Sequence, residues 1–199
     1  MTTLNQSSSE TISATEEHGH ADHRMFGVAT FLVADAMTFA GFFAAYLTFH
    51  AVNPLQPDAV YELELPLPIL NTVLLLVSSA TFHKAGQNLR KGASKACRQW
   101  LMVTALLGLA FLVSQMVEYF TLPFGLTDNL FASTFYALTG FHGLHVTLGA
   151  LMILIVWWQC RTPAGRVTAD NQFPLEAVEL YWHFVDGIWV VLFLILYLL

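Results

Sequence analysis

Residues 131–158 read FASTFYALTGFHGLHVTLGALMILIVWW, and no Asp, Glu, Lys or Arg interrupts them. As an α-helix this stretch extends about 42 Å at ~1.5 Å per residue. The hydrocarbon core of a bilayer is about 30 Å thick, so the stretch is long enough to cross it with room to spare. A chain surrounded by water has little use for so long an uncharged helix; a chain surrounded by lipid requires one.

Four more stretches are long and largely apolar: Met25–Phe49, Leu65–His83, Trp100–Phe120 and Ala177–Leu199. The second opens with Pro66 and Pro68, which suit the first turn of a helix. The chain is 56% hydrophobic and only 11% charged, against about 25% charged in soluble domains. The fold class that follows is all-α, an integral membrane bundle of five transmembrane helices over residues 25–199. The acidic residues are scattered, and no basic tract points to nucleic acid.

Residues 1–24 differ in kind. They are rich in Ser and Thr and carry Glu10, Glu16, Glu17, His18, His20, Asp22 and His23. No apolar run follows a basic start, so a signal peptide is not expected. A mobile polar tail is expected instead, and His18, His20 and His23 lack the rigid frame of a metal site. The basic residues set the orientation. Arg24 lies in the tail, Lys84, Arg90, Lys91, Lys95 and Arg98 between the second and third spans, and Arg161 and Arg166 between the fourth and fifth. With five spans these three regions share one side, which the positive-inside rule makes cytoplasmic; the N-terminus is then inside and Leu199 outside. Trp100, Trp157, Trp158 and Trp182 fall near the inner interface, where indoles commonly sit. Cys97 and Cys160 fall on the same side and read as incidental thiols, since a reducing compartment disfavours disulfides.

Small residues allow helices in lipid to approach closely. Ala34, Thr38, Gly41 and Ala45 in the first span form such a stripe, as do Ser133, Ala137, Gly140, Thr147 and Ala150 in the fourth. Ionisable groups are the costly exceptions, at about 2.5–3.5 kcal/mol each at the helix centre. Asp35 lies ten residues into the first span and is either a proton-linked or lipid-headgroup-linked carboxyl, or a neutral acid bonded to a neighbouring helix. His142 and His145 lie one turn apart and read as neutral imidazoles bonded within the bundle rather than as metal ligands. Glu176, Glu179, His183 and Asp186 make one narrow stripe on the fifth helix, expected to face the bundle or a partner. Glu118 lies near the end of its helix, where water or a neighbouring helix can solvate it. No phosphate loop, nucleophile elbow, dinucleotide fingerprint or Cys-x-x-Cys occurs, so no self-sufficient active site is expected.

The same polar pattern carries a resemblance. Thr139-Gly140-Phe141-His142-Gly143-Leu144-His145-Val146 resembles the Gly-x-His-Gly-Leu-His-Val signature of subunit III of the haem–copper terminal oxidases. Tyr181-Trp182-His183-Phe184-Val185-Asp186 resembles its Trp-His-Phe-x-Asp signature, and Ala34–Phe43 looks like the stretch that carries its intramembrane carboxylate. Leu70-Asn71-Thr72 and Glu118-Tyr119 fit as well, and the likeness runs in order from about Met25 to Leu199. Mitochondrial members have seven spans and a Glu where this chain has Asp35; the bacterial five-helix form of cytochrome c oxidase subunit III shares both departures.

The resemblance implies a subunit of a proton-pumping oxidase of aerobic respiration, in the bacterial plasma membrane or, in a phototroph, the thylakoid. It implies no active site, metal or redox cofactor in this chain. Haem and copper reside in subunits I and II, its partners, and cytochrome c is met only through the complex. Asp35 is implied to lie near the proton-uptake route, with Glu118, His142, His145, Glu179, His183 and Asp186 as a structural polar network. Phospholipid is an implied ligand, in a cleft one wall of which this chain lacks. The alternatives are subunit III of a quinol oxidase, an accessory protein of nitric oxide reduction, a diheme carrier pairing His142 or His145 with His183, and a proton-coupled transporter. The orientation is tested by alkaline phosphatase fusions: one after Leu199 is expected to be active and one between Lys84 and Gln99 inactive, and the reverse pattern contradicts the assignment.

Overall fold

A computed structural model describes residues 3–52, 65–128, 130–161 and 167–198, without the side chains of residues 3–22, 50 and 52. Among the described residues the regular elements are all helical. They are α1 (Thr3–Val52), α2 (Pro66–Arg90), α3 (Ser94–Thr121), α4 (Leu130–Gln159) and α5 (Phe173–Phe193), the last continued by a π-helical turn, Leu194–Leu198. Among the described residues, five helices are long and apolar enough to cross a membrane.

The helices overrun the apolar spans read from the sequence. The apolar part of α1 is His23–Phe49, and the polar segment ahead of it continues the helix back to Thr3. The side chains of His18 and His20 lie outside the described residues. Further along, α2 runs on past His83 to Arg90, and α3 starts at Ser94 rather than Trp100. Lys, Arg, Gln and Ala are good helix formers, so the backbone has no reason to break where the apolar sequence stops. What breaks it is Gly92, at φ +73°. Gly92 N–H bonds Leu89 O and Ala93 N–H bonds Asn88 O, the paired bonds of a Schellman motif, whose left-handed position glycine fills without a Cβ clash. The α2–α3 hairpin is therefore closed by a turn of three residues, Lys91 to Ala93.

The chain divides into two compact units, Met1–Ala36 and Met37–Leu199. Within the second, α2 packs on α3, α3 on α4, α4 on α5, and α5 back on α2, closing a ring of four helices. Two tryptophans of α5, one heptad apart, fill its axis. Trp182 is fully buried and its indole Nε1–H donates to Ser78 Oγ of α2 at 2.9 Å. Trp189, also fully buried, donates to Thr72 Oγ1 of α2 at 3.0 Å and sets its ring edge-on to Phe111 of α3, with 4.8 Å between centroids. The remainder of α1 meets α4 through aromatic rings: Phe39 lies 5.1 Å from Phe141, Phe42 5.3 Å from Phe141 and Tyr46 6.3 Å from Phe131.

Two expectations change here. Trp182 is a core residue, not an interface residue, because its polar Nε1–H has an acceptor on α2 and glycines make room for its ring. The small-residue stripe of α4 is not the buried face either, since Ala137, Gly140 and Thr147 are exposed within this chain. The glycines that permit close approach are Gly108 on α3 and Gly149 on α4: a Cβ on them would lie 2.7 Å and 2.8 Å from the Trp182 ring. Gly149→Ala is therefore expected to force the indole aside and destabilise the bundle by about 1–3 kcal/mol. Gly187→Ala, where a Cβ meets nothing within 4 Å, is expected to be neutral or mildly stabilising. Reversible unfolding in mixed micelles measures both, and equal effects contradict the packing described.

Candidate functional site

A helix that carries Glu176, Glu179, His183 and Asp186 at spacings of three and four presents all of them along one side. In the bundle that side faces α2, which runs antiparallel to α5 and answers with Ser79, His83, Gly86 and Arg90. At the basic end Arg90 Nη2 donates to Glu176 Oε1 at 3.5 Å. Deeper, Glu179 Oε1 lies 3.1 Å from His83 Nδ1 and 3.7 Å from His183 Nε2. Gly86 leaves space for this carboxylate, because a Cβ there would lie 3.0 Å from Glu179 Oε2. Next, Ser79 Oγ bonds His183 Nδ1 at 2.6 Å. Asp186 is buried beside Ser79 and His183. The Ser78–Trp182 and Thr72–Trp189 bonds continue the series towards the other end.

The two ends of this ladder differ in exposure. The Arg90 and Glu176 side chains are 52% and 38% exposed, so their contact is a solvent-softened surface pair of little net worth. Glu179 is only 12% exposed in its side chain, while His83 and His183 remain partly open. Glu179 thus carries the central junction, with two imidazoles against one carboxylate oxygen.

The other polar residues read from the sequence form separate contacts. Glu118 is buried; Tyr197 OH donates to its Oε1 at 2.7 Å and Gln115 Nε2 to its Oε2 at 3.2 Å. Tyr197 reaches it from the π-helical turn that ends α5. His142 and His145 lie on neighbouring turns but part company. His142 is fully buried, its ring 5.2 Å from Trp189 and 5.6 Å from Phe111. His145 bonds Phe141 O through Nδ1 at 2.7 Å and packs 5.1 Å from Phe39. His183 meets Ser79 and Glu179 instead of either, so the histidine pairing that a diheme carrier needs is not what the bundle brings together. Asp35 is half-buried in α1 and belongs to the Met1–Ala36 unit; the other six polar candidates belong to Met37–Leu199. Among the described residues no group of three or more His, Cys, Asp or Glu side chains is arranged to hold a metal ion.

Sequence reasoning missed the α2 half of the ladder. Its signal was present as Ser79, His83, Gly86 and Arg90, at spacings of four, three and four, the complement of the α5 stripe. Hydrogen bonds between membrane helices contribute about 0.6 kcal/mol on average and up to about 1.7 kcal/mol. A double-mutant cycle of His83→Ala and Glu179→Ala is therefore expected to return a coupling of about 1–2 kcal/mol in favour of the native pair. A cycle of Arg90→Ala and Glu176→Ala is expected near zero. Equal couplings contradict the assignment of the junction to Glu179.

Comparison with known proteins places this arrangement. The sequence model of the family described as cytochrome c oxidase subunit III matches residues 7–199. A cytochrome c oxidase subunit 3 from Synechocystis sp. is 51% identical over 183 residues, covering 92% of this chain and 78% of that protein. One from Thermostichus vulcanus is 41% identical over 194 residues, covering 98% and 96%. One from Bos taurus is 35% identical over 179 residues, covering 86% of this chain and 68% of the longer protein. Both histidine signatures, the ladder residues on α5 and Asp35 lie inside the matched region, and the chain belongs to the cytochrome c oxidase subunit III family.

Proposed function

We propose that this chain serves a cytochrome c oxidase as the subunit without a redox centre, packing beside subunit I in the plasma membrane and sustaining its proton uptake. The observation that carries the reading is what the signature residues do. Trp182, His183 and Asp186 of the Trp-His-Phe-x-Asp run lie in the α2–α5 contact, and His142 and His145 lie in aromatic surroundings. A residue held between helices is suited to building a rigid partner surface, and a catalytic group needs open access to a substrate. In this reading haem and copper belong to subunits I and II, and electrons from cytochrome c bypass this chain.

Asp35 is the residue proposed to act in turnover. A carboxyl in the apolar part of α1 is costly to retain, and such groups commonly mark proton or ion routes. Asp35→Asn keeps the shape and removes the titratable proton. The mutant complex is expected to assemble with normal haem content, and then to take up protons more slowly or lose activity faster during turnover. Stopped-flow proton uptake and activity against turnover number measure this. Wild-type behaviour in both contradicts the role of Asp35, and failure to co-purify with subunits I and II contradicts the wider reading.

A further inference from the structure

The basic end of the bundle holds a second constellation, between α3 and α4 and outside the signature motifs. Arg98, in the second turn of α3, places its guanidinium carbon 5.8 Å from the ring centroid of Trp157 on α4. Arg161, just past the end of α4, approaches the same ring at 5.9 Å. These cation–π contacts strap the start of α3 to the end of α4. One residue before Arg98 and three after Trp157 stand the chain's two cysteines. Cys97, fully buried, lies within hydrogen-bonding reach of Cys160, which is partly exposed. Both sit on firm backbone, with Cys97 N–H bonded to Ala93 O and Cys160 N–H to Val156 O.

We propose that Cys97 and Cys160 are a thiol–disulfide exchange site for low-molecular-weight disulfides, at which oxidation links α3 covalently to α4. The unequal exposure fixes the order of events. Cys160 is the sulfur a solute can reach. The hydrogen bond with Cys97, with the charge of Arg98 in support and partial burial in opposition, holds the Cys160 thiol below its ordinary pKa, favouring the nucleophilic thiolate. That thiolate attacks one sulfur of a disulfide RSSR, forming a mixed disulfide and releasing RS⁻, which takes up a proton as RSH. Cys97 then gives up its proton and attacks the Cys160 sulfur; the mixed bond breaks and a second RSH leaves. Two protein thiols are oxidised to one disulfide and one RSSR is reduced to two RSH, so no further oxidant enters the balance.

The test uses the full chain in its native membrane with oxidised glutathione as the probe. Free thiols are then counted under denaturing conditions with a mass-tagged maleimide, and linked peptides are mapped. The wild type is expected to lose both thiols together, to yield an intramolecular Cys97–Cys160 peptide pair, and to recover both thiols with dithiothreitol. Cys97→Ser is expected to stop at a glutathione adduct on Cys160. Cys160→Ser is expected to react at least about tenfold more slowly, because its remaining thiol is buried. The proposal is overturned if the wild type keeps both thiols, if the disulfide joins two chains, or if the two Ser variants react equally fast. The wild-type arm stands alone should either variant fail to fold.

Discussion

A polar side chain inside a bilayer has no water to turn to, and the structure depends on how that constraint is met along one helix pair. The α5 stripe of Glu179, His183 and Asp186 would be costly facing lipid. Against α2 it finds His83, Ser79 and the space above Gly86. The register that makes these contacts also brings Trp182 to Ser78 and Trp189 to Thr72. Once those indoles are anchored their rings must be accommodated by α3 and α4, which is why Gly108 and Gly149 lie where they do. Apolar packing alone would leave such a bundle free to slide, since lipid is as good a neighbour for Leu as another Leu is. Directional bonds fix rotation and depth, and the close-packed rings then add dispersion that no lipid chain can match.

The fold was largely legible from residues 131–158 and their four counterparts, because the length of an uncharged run is dictated by bilayer thickness and little else. Helix ends were not, since Lys84 to Arg90 and Ser94 to Gln99 are polar yet helical, and only Gly92 marks the true break. The stripe on α5 was visible as spacing, but its partner on α2 was hidden among apolar neighbours in a sequence that mixes Ser79 and His83 with Thr81 and Phe82. Trp182 was misplaced because a tryptophan near a span's end fits the interface equally well on sequence grounds. Only the facing glycines of other helices decide otherwise, and these are 74 and 33 residues away in the chain. The contact of Tyr197 with Glu118 had no sequence signal, because it depends on a π-helical turn. Two cysteines 63 residues apart gave no hint of meeting, because the packing of α3 on α4 that brings them together leaves no local pattern in the sequence.

Function follows from this division of labour. Glu179 and His183 lie in the contact between α5 and α2, and the chain that carries them belongs to the cytochrome c oxidase subunit III family. Asp35, half-buried in α1, belongs to the first of the two units.

The most direct measurement of the central claim is to purify the oxidase with and without this chain and follow oxygen reduction over many turnovers alongside the haem spectrum. The account predicts that removal leaves the haem absorbance intact and the first turnovers competent, with activity then decaying faster, and that adding the chain back restores the endurance. Loss of haem absorbance in proportion to loss of the chain, or an unchanged activity course without it, would contradict the account.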